Sequence, residues 1–137
     1  KALVTWSAVA TFDRLNDNEK AAWRETGEVT ILNARTGQEL PLGIEVLEDF
    51  ERHTERLDIE AAAARRRAPW LIVHGETDET VPVGEARQLA AAAHQPAELL
   101  EIPGAGHTFE VGHPFNGPSP QLITAMNATQ SWFRRHL

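Results

Sequence analysis

Two residues with catalytic potential, Asp78 and His107, stand in turns that each follow an apolar segment of the chain. Asp78 comes shortly after Gly75, and His107 ends the run Gly104-Ala105-Gly106-His107. A carboxylate that orients an imidazole, with the imidazole acting as general base, is the acid–base machinery of nucleophilic catalysis. The residue types therefore predict an acid and a base that work as a pair.

The elements around these two turns would position them side by side. Residues 70–75 form a continuous apolar segment, typical of a parallel strand that is covered on both faces by helices. A helix is predicted for 83–93, a strand for 99–102, and a final helix after Ser119-Pro120, a capping signal. Because neighbouring parallel strands lie about 5 Å apart and end at the same edge, we expect the two turns to meet there.

The first half of the chain has a different pattern. Residues 2–9 are apolar on both faces and predict another interior parallel strand. Residues 13–67 are interpreted as a cap-like insertion within a single domain of 137 residues. Its predicted elements are a helix that Gly27 ends, a hairpin with strands 29–33 and 38–42 around a turn at 34–37, and helices at 45–57 and 59–67.

Composition excludes several classes of partner. The net charge is −7, and the only basic run is Arg65-Arg66-Arg67, so we expect no binding to nucleic acid or to an anionic membrane surface. No apolar run approaches the roughly 20 residues that span a bilayer. Cysteine is absent, which excludes disulfides and thiolate metal sites and favours a reducing compartment such as the cytoplasm.

Two motifs together resemble the last third to half of the α/β-hydrolases. They are Leu71-Ile72-Val73-His74-Gly75-x-x-Asp78-x-x-Val81-Pro82 and Gly104-Ala105-Gly106-His107. Within that fold, the chain is most similar to dienelactone-hydrolase-like and prolyl-oligopeptidase-like serine hydrolases. The resemblance implies an α/β architecture, the C-terminal part of an α/β-hydrolase fold, with three parallel strands, flanking helices and the cap-like insertion.

The resemblance also implies roles for the two residues. In the order Ser, Asp, His, Asp78 is the acid that orients the imidazole, and His107 is the base. No Gly-x-Ser-x-Gly turn occurs in the sequence, so the nucleophile and oxyanion donors are expected in a missing N-terminal part. The full-length protein is then expected to hydrolyse a small ester, lactone or amide without a cofactor, whereas this chain alone is expected to be inactive.

Other polar residues offer alternatives to this pair. Asp13 also follows a strand and is a rival acid, although an ion pair or a helix cap accounts for it more simply. Glu110 and His113 could join Asp78 at a metal, but their spacing matches no zinc pattern, so no metal is expected. His74 is expected to form a hydrogen bond under its turn rather than to carry protons.

Two further expectations concern packing and association. Thr108 and Phe109 are candidates to line a substrate pocket. As an alternative function, the chain could be a non-catalytic module that keeps the hydrolase frame and associates through its cap or its exposed sheet edge, in the second case with another copy. The unpaired edge of the first strand would be the contact, because an unpaired apolar edge invites strand pairing.

Overall fold

The computed structural model describes residues 1–33 and 36–137. Two residues of the predicted hairpin turn, Ala34 and Arg35, therefore lie outside the described residues. The chain divides into two compact units. One unit comprises Lys1–Ala10 and Ile59–Leu137 and contains a parallel sheet, and the other is Thr11–Asp58 and contains an antiparallel hairpin.

The helices and strands follow the predicted order. They are β1 (Leu3–Trp6), α1 (Asp17–Thr26), β2 (Glu28–Asn33), β3 (Gln38–Gly43), α2 (Glu45–Arg52), α3 (Ile59–Arg65), β4 (Trp70–Gly75), α4 (Val83–Ala92), β5 (Ala97–Ile102) and α5 (Pro120–His136). Helix α2 ends five residues before the predicted position 57, because the backbone of His53 leaves the helical region at φ −123° and ψ 29°. The predicted element types are otherwise observed among the described residues.

The sheet of the first unit has the order β1-β4-β5 with all strands parallel. Strand β4 lies in the middle, and all six of its residues are buried. The first strand is not interior in this chain, and the structure shows the unpaired edge that the sequence also predicts for it. Strand β1 is an edge strand, with Leu3 and Trp6 each 38% exposed, because no other described strand pairs with its outer side.

The two faces of β4 build two separate cores. Leu71 and Val73 point into one cluster, which includes Trp132 of α5. Trp70 and Ile72 point into the other, which contains side chains from α3 and α4. Since successive side chains of a strand point to opposite faces, a continuous apolar strand needs helices on both sides, and the chain provides them.

The second unit is organised around the antiparallel pair β2 and β3. Helix α1 is capped at its N-terminus by Asn16, whose side chain accepts hydrogen bonds from two backbone N–H groups in a capping box with Glu19. The buried Trp23 donates a hydrogen bond from its indole nitrogen to the carbonyl of Leu42 at 3.2 Å. This unit includes most of the predicted insertion 13–67, whereas α3 packs with α4 in the first unit.

Hydrogen bonds join the turn after β4 to the turn after β5. The backbone N–H and the hydroxyl of Thr77 both donate to the carbonyl of Ala105 at 3.0 Å, and Glu76 N–H donates to the carbonyl of Ile102 at 3.0 Å. A Cβ atom at Gly75 would collide with the carbonyl oxygen of Ala105 and lie 2.7 Å from that of Gly106. The absence of a side chain at Gly75 therefore allows this close approach.

No helix in the part of the chain that the structure describes has both the length and the apolar character needed to cross a membrane.

We expect Gly75→Ala to destabilise the fold by about 1–3 kcal/mol, because the new methyl group overpacks the contact between the two turns. Urea-induced unfolding measures the change. Gly84→Ala is the matched control, because no atom lies within 4 Å of a Cβ at that helical position. The control should be neutral or stabilising by up to about 1 kcal/mol through helix propensity. Equal stability of the two variants would contradict the contact.

Candidate active site

Asp78 lies in the turn between β4 and α4, and its carboxylate is removed from solvent. Its side chain is 0% exposed. The Oδ1 atom accepts hydrogen bonds from the backbone N–H groups of Thr80 at 2.9 Å and Val81 at 2.8 Å. This is the local arrangement that makes Asp a turn former, since the side chain bonds the backbone two and three residues on. It leaves Oδ2 free for another partner.

That partner is the imidazole of His107. Its Nδ1 lies 2.9 Å from Asp78 Oδ2, and its side chain is 37% exposed. An ionised carboxylate only accepts hydrogen bonds, so Nδ1 carries the proton of the neutral ring and donates it to Oδ2. The Nε2 atom then holds a lone pair. The structure thus brings together the two residues predicted to pair, one buried and one accessible.

The surroundings of Asp78 favour its ionised form. Burial alone would raise the pKa of this carboxyl group, but the hydrogen bond from the Val81 backbone, the hydrogen bond and electrostatic attraction of His107, and the hydrogen bond from the Thr80 backbone together outweigh burial. The pKa of Asp78 is therefore lowered below its ordinary value. A buried carboxylate with these donors remains a fixed negative charge next to the imidazole.

The loop that carries His107 is fastened on both sides of that residue. Gly106 donates its backbone N–H to Glu110 Oε1 at 2.9 Å, and the hydroxyl of Ser7 donates to the carbonyl of His107 at 3.4 Å. Phe109 and Glu110 both adopt positive φ angles, 51° and 60°, a conformation that costs free energy for residues other than glycine. These contacts fix the backbone from which the imidazole projects.

Phe109 does not line a pocket, contrary to the prediction. It is 4% exposed and belongs to the core between the sheet and α5. Its ring packs edge to face on Trp6, with the ring centroids 5.4 Å apart. The adjacent Thr108 donates its hydroxyl to the carbonyl of Val111 at 3.1 Å. Phe109 therefore anchors the loop to the core, a role that the sequence does not distinguish from pocket lining.

His74, at the end of β4, lies directly beneath the acid turn. Its Nε2 is 2.7 Å from the carbonyl oxygen of Val81 and 3.4 Å from Asp78 Oδ2, and the residue is fully buried. The hydrogen bond under the turn agrees with the sequence-based expectation.

The alternative candidates take part in other contacts. Asp13 forms an ion pair with Lys20 at 2.5 Å within the second unit. Glu110 binds the backbone of Gly106, as described above. No group of three or more potential metal ligands occurs among residues 1–33 and 36–137.

Sequence reasoning did not identify the supports of the pair. The amides of Thr80 and Val81 donate to Asp78. The residue type is a signal for these contacts, since an Asp in a turn commonly bonds the backbone that follows it. The Glu110 contact had no sequence signal, because a carboxylate four residues after a glycine in a loop has many other possible partners.

The second unit contains a cavity of about 240 Å³ with a largely apolar lining. Three aromatic side chains contribute to this lining, namely Phe12, Trp23 and Phe50. Among the charged residues of the lining, Asp13 and Lys20 are paired with each other.

The chain is similar to curated proteins, among them a peptidase of Bacillus subtilis and the esterase LipC of Mycobacterium tuberculosis (strain ATCC 25618 / H37Rv), which is 39% identical over 51 residues, covering 34% of this chain and 13% of that protein. No protein-family model matches the sequence. The chain is 34% identical over 97 residues to the uncharacterized peptidase YuxL of Bacillus subtilis (strain 168), a match that covers 68% of this chain and 14% of that protein. The chain therefore spans only a small part of the length of this relative.

Solved structures resemble nearly the whole chain. The esterase domain of a Rhodothermus marinus protein matches with a TM-score of 0.65 and 22% identity, covering 99% of this chain and 52% of that one. Alpha/beta hydrolase domain-containing protein 10 from mouse matches with a TM-score of 0.72 and 14% identity, covering 98% and 52%. The chain spans about half the length of these structures. Together with the parallel sheet and its flanking helices, these matches show that the chain has the α/β-hydrolase fold.

Proposed function

We propose that this chain contributes the acid and the base of a serine hydrolase, with Asp78 as the acid and His107 as the base. The observation that carries the proposal is the contact between the buried Asp78 Oδ2 and Nδ1 of the accessible His107 at 2.9 Å. This contact fixes the tautomer in which Nε2 has a lone pair for a substrate-facing proton transfer.

In the proposed reaction, His107 Nε2 takes the proton of a serine hydroxyl while the serine oxygen attacks the carbonyl carbon of the substrate. The imidazolium that forms is stabilised by the ionised Asp78, which keeps its own charge. His107 then returns the proton to the leaving group, and an acyl-enzyme remains. Attack by water, with His107 again as base, releases the acid product and restores the serine.

The serine and the oxyanion donors are proposed to lie in residues that precede Lys1 in a longer protein. Two observations support this part of the proposal. The chain lacks a Gly-x-Ser-x-Gly turn, and it spans only about half the length of the structures with its fold. The reading frame upstream of Lys1 is the direct check, since a nucleophile turn there is required and its absence would reject the proposal. A Cys in that turn would keep the mechanism with another nucleophile, and an Asp would indicate dehalogenase-like chemistry.

The substrate class is proposed to be a small ester, lactone or amide, and the subtype to be dienelactone-hydrolase-like or prolyl-oligopeptidase-like. A relative named a peptidase and a structural neighbour described as an esterase domain are compatible with both amide and ester cleavage. A reactive fluorophosphonate probe, applied to the complete protein, tests for the activated serine, since only an activated nucleophile is labelled rapidly.

A second candidate function is a non-catalytic module that associates through β1. The observation that favours it is the open edge of this strand, where Leu3 and Trp6 are partly exposed. Self-association of this 137-residue chain does not conflict with catalysis by the complete protein. Failure of the fluorophosphonate probe to label the complete protein would favour the module.

We expect His107→Ala and Asp78→Asn in the complete protein to lower kcat by about 10⁴-fold, because each change removes the oriented base. Ester hydrolysis with a chromogenic substrate measures the effect. Asp13→Asn is the control and should leave kcat near that of the parent. If Asp13→Asn abolished turnover while Asp78→Asn did not, the acid role would belong to Asp13.

We expect the stability contributed by ionised Asp78 to depend on pH. Because the pKa of Asp78 is lower in the folded state than in the unfolded state, this contribution is present above the unfolded pKa. It is lost as the pH falls through the folded pKa. Asp78→Asn should therefore be less stable than the parent at about pH 7, and the difference should close as the pH is lowered through the unfolded and then the folded pKa of Asp78.

Urea unfolding of the parent and the variant across this pH range measures the difference. Asp13→Asn is the matched control for loss of a carboxylate, because its partly exposed ion pair with Lys20 should contribute only about 0–1 kcal/mol. A stability difference for Asp78→Asn that widens toward acid would contradict the assignment.

We expect the chain as given to self-associate through β1, and Leu3→Lys to reduce that association, because a charge on an edge strand opposes pairing. Static light scattering over a range of concentrations measures it. Leu137→Lys places the same charge at a residue that is 83% exposed outside the strand and should leave association unchanged. A folded parent chain that stays monomeric at high concentration would contradict the prediction.

A further inference from the structure

We propose that His74 is a positioning residue for the acid, an inference that rests on the proposed function of Asp78 and His107. Its Nε2–H holds the carbonyl of Val81 at 2.7 Å and so fixes the turn that aims the carboxylate of Asp78. His74 itself has no part in proton transfer.

Val81 is held at both ends of the residue. Its backbone N–H donates to Asp78 Oδ1 at 2.8 Å, and its carbonyl accepts from His74 at 2.7 Å. Because Oδ1 is tied to this backbone, any shift of Val81 rotates the carboxylate. The position of Oδ2, which faces His107 at 2.9 Å, therefore depends on the hydrogen bond that His74 makes.

The tautomer of His74 follows from its partners. A carbonyl oxygen only accepts, so the proton is on Nε2, and Nδ1 of the neutral ring is an acceptor. Nδ1 is buried and has no hydrogen-bond partner among the described residues. Glu101 on β5 is the register partner of His74. The carboxylate of Glu101 accepts hydrogen bonds from Nε and Nη2 of Arg87 at 2.8 and 2.7 Å, so its hydrogen-bond partner is Arg87 and not His74.

An imidazole with one unpartnered nitrogen is an unfavourable way to fill a buried position. An apolar side chain would bury no polar atom there, whereas Nδ1 loses its hydration without a replacement. The hydrogen bond from Nε2 to the carbonyl of Val81 offsets part of this cost. A buried nitrogen without a hydrogen-bond partner is rare in proteins, so the presence of a histidine here calls for an explanation. The geometry of the acid turn provides one.

The second contact of His74 is consistent with the same role. Its Nε2 lies 3.4 Å from Asp78 Oδ2, longer than the 2.9 Å from His107 to that oxygen. His74 therefore donates its N–H to the carbonyl of Val81, and the short hydrogen bond to Asp78 Oδ2 comes from His107. His74 sets where the carboxylate sits without replacing the base as its partner.

Two substitutions of His74 by amide side chains test whether the hydrogen bond to Val81 matters, or only the presence of a polar side chain. His74→Gln places an amide nitrogen near the position of Nε2 and can reach the carbonyl of Val81. His74→Asn has the same amide group but is one methylene shorter and cannot reach it. His94→Asn makes the same exchange at an exposed histidine and is the control.

The primary readout is the far-downfield proton NMR resonance of the His107 Nδ1–H in the complete protein, assigned by its loss in His107→Gln. We expect His74→Gln and His94→Asn to keep this resonance and His74→Asn to shift or lose it. A parental resonance in folded His74→Asn would overturn the proposal. If His74→Asn does not fold, His74→Gln decides: the parental resonance supports the proposal, and its absence from the folded variant overturns it.

Turnover gives a second, independent readout. We expect kcat of His74→Asn to be about 10-fold below that of His74→Gln with a similar KM, the size of effect typical for a residue that orients another. Equal kcat values would overturn the proposal. If the parent protein has no hydrolase activity, the function proposed for Asp78 and His107 fails, while the NMR comparison still tests whether His74 positions the carboxylate.

Discussion

The arrangement of the site depends on how the two oxygens of one buried carboxylate are divided. Asp78 Oδ1 is taken by the backbone of its own turn, and Oδ2 faces the imidazole of His107. A carboxylate without access to water is costly unless its charge meets donors, and here the donors are backbone amides and an imidazole. The same hydrogen bonds that shape the turn therefore keep the acid ionised and fix which nitrogen of His107 is protonated.

The sheet gives this carboxylate its partner. Strands β4 and β5 are parallel neighbours, so the turns that follow them come together at the same edge. Gly75 allows the second turn to approach so closely that the carbonyl of Ala105 accepts two hydrogen bonds from Thr77. Backbone contacts between the two turns thus set the distance between the main chains of Asp78 and His107, and the two side chains bridge that distance.

Residues outside the pair hold each side of it. His74 lies beneath the acid turn, and Glu110 and the buried Phe109 hold the loop of the base. The two positive φ angles in that loop persist because these contacts compensate for their cost. Both sides of the contact between Asp78 and His107 are held by the fold itself, which suits the preorganised pair that the proposed function requires.

The sequence by itself determined the order of elements, the parallel three-strand frame and the two turns that meet. These follow from local signals, namely the apolar strand 70–75, the capping residues and the glycines, which act over short distances. Only the tertiary structure decided that Phe109 packs in the core and that α3 belongs with the sheet. Those outcomes depend on which segments, far apart in the sequence, pack against each other. A local residue pattern is compatible with several packing partners.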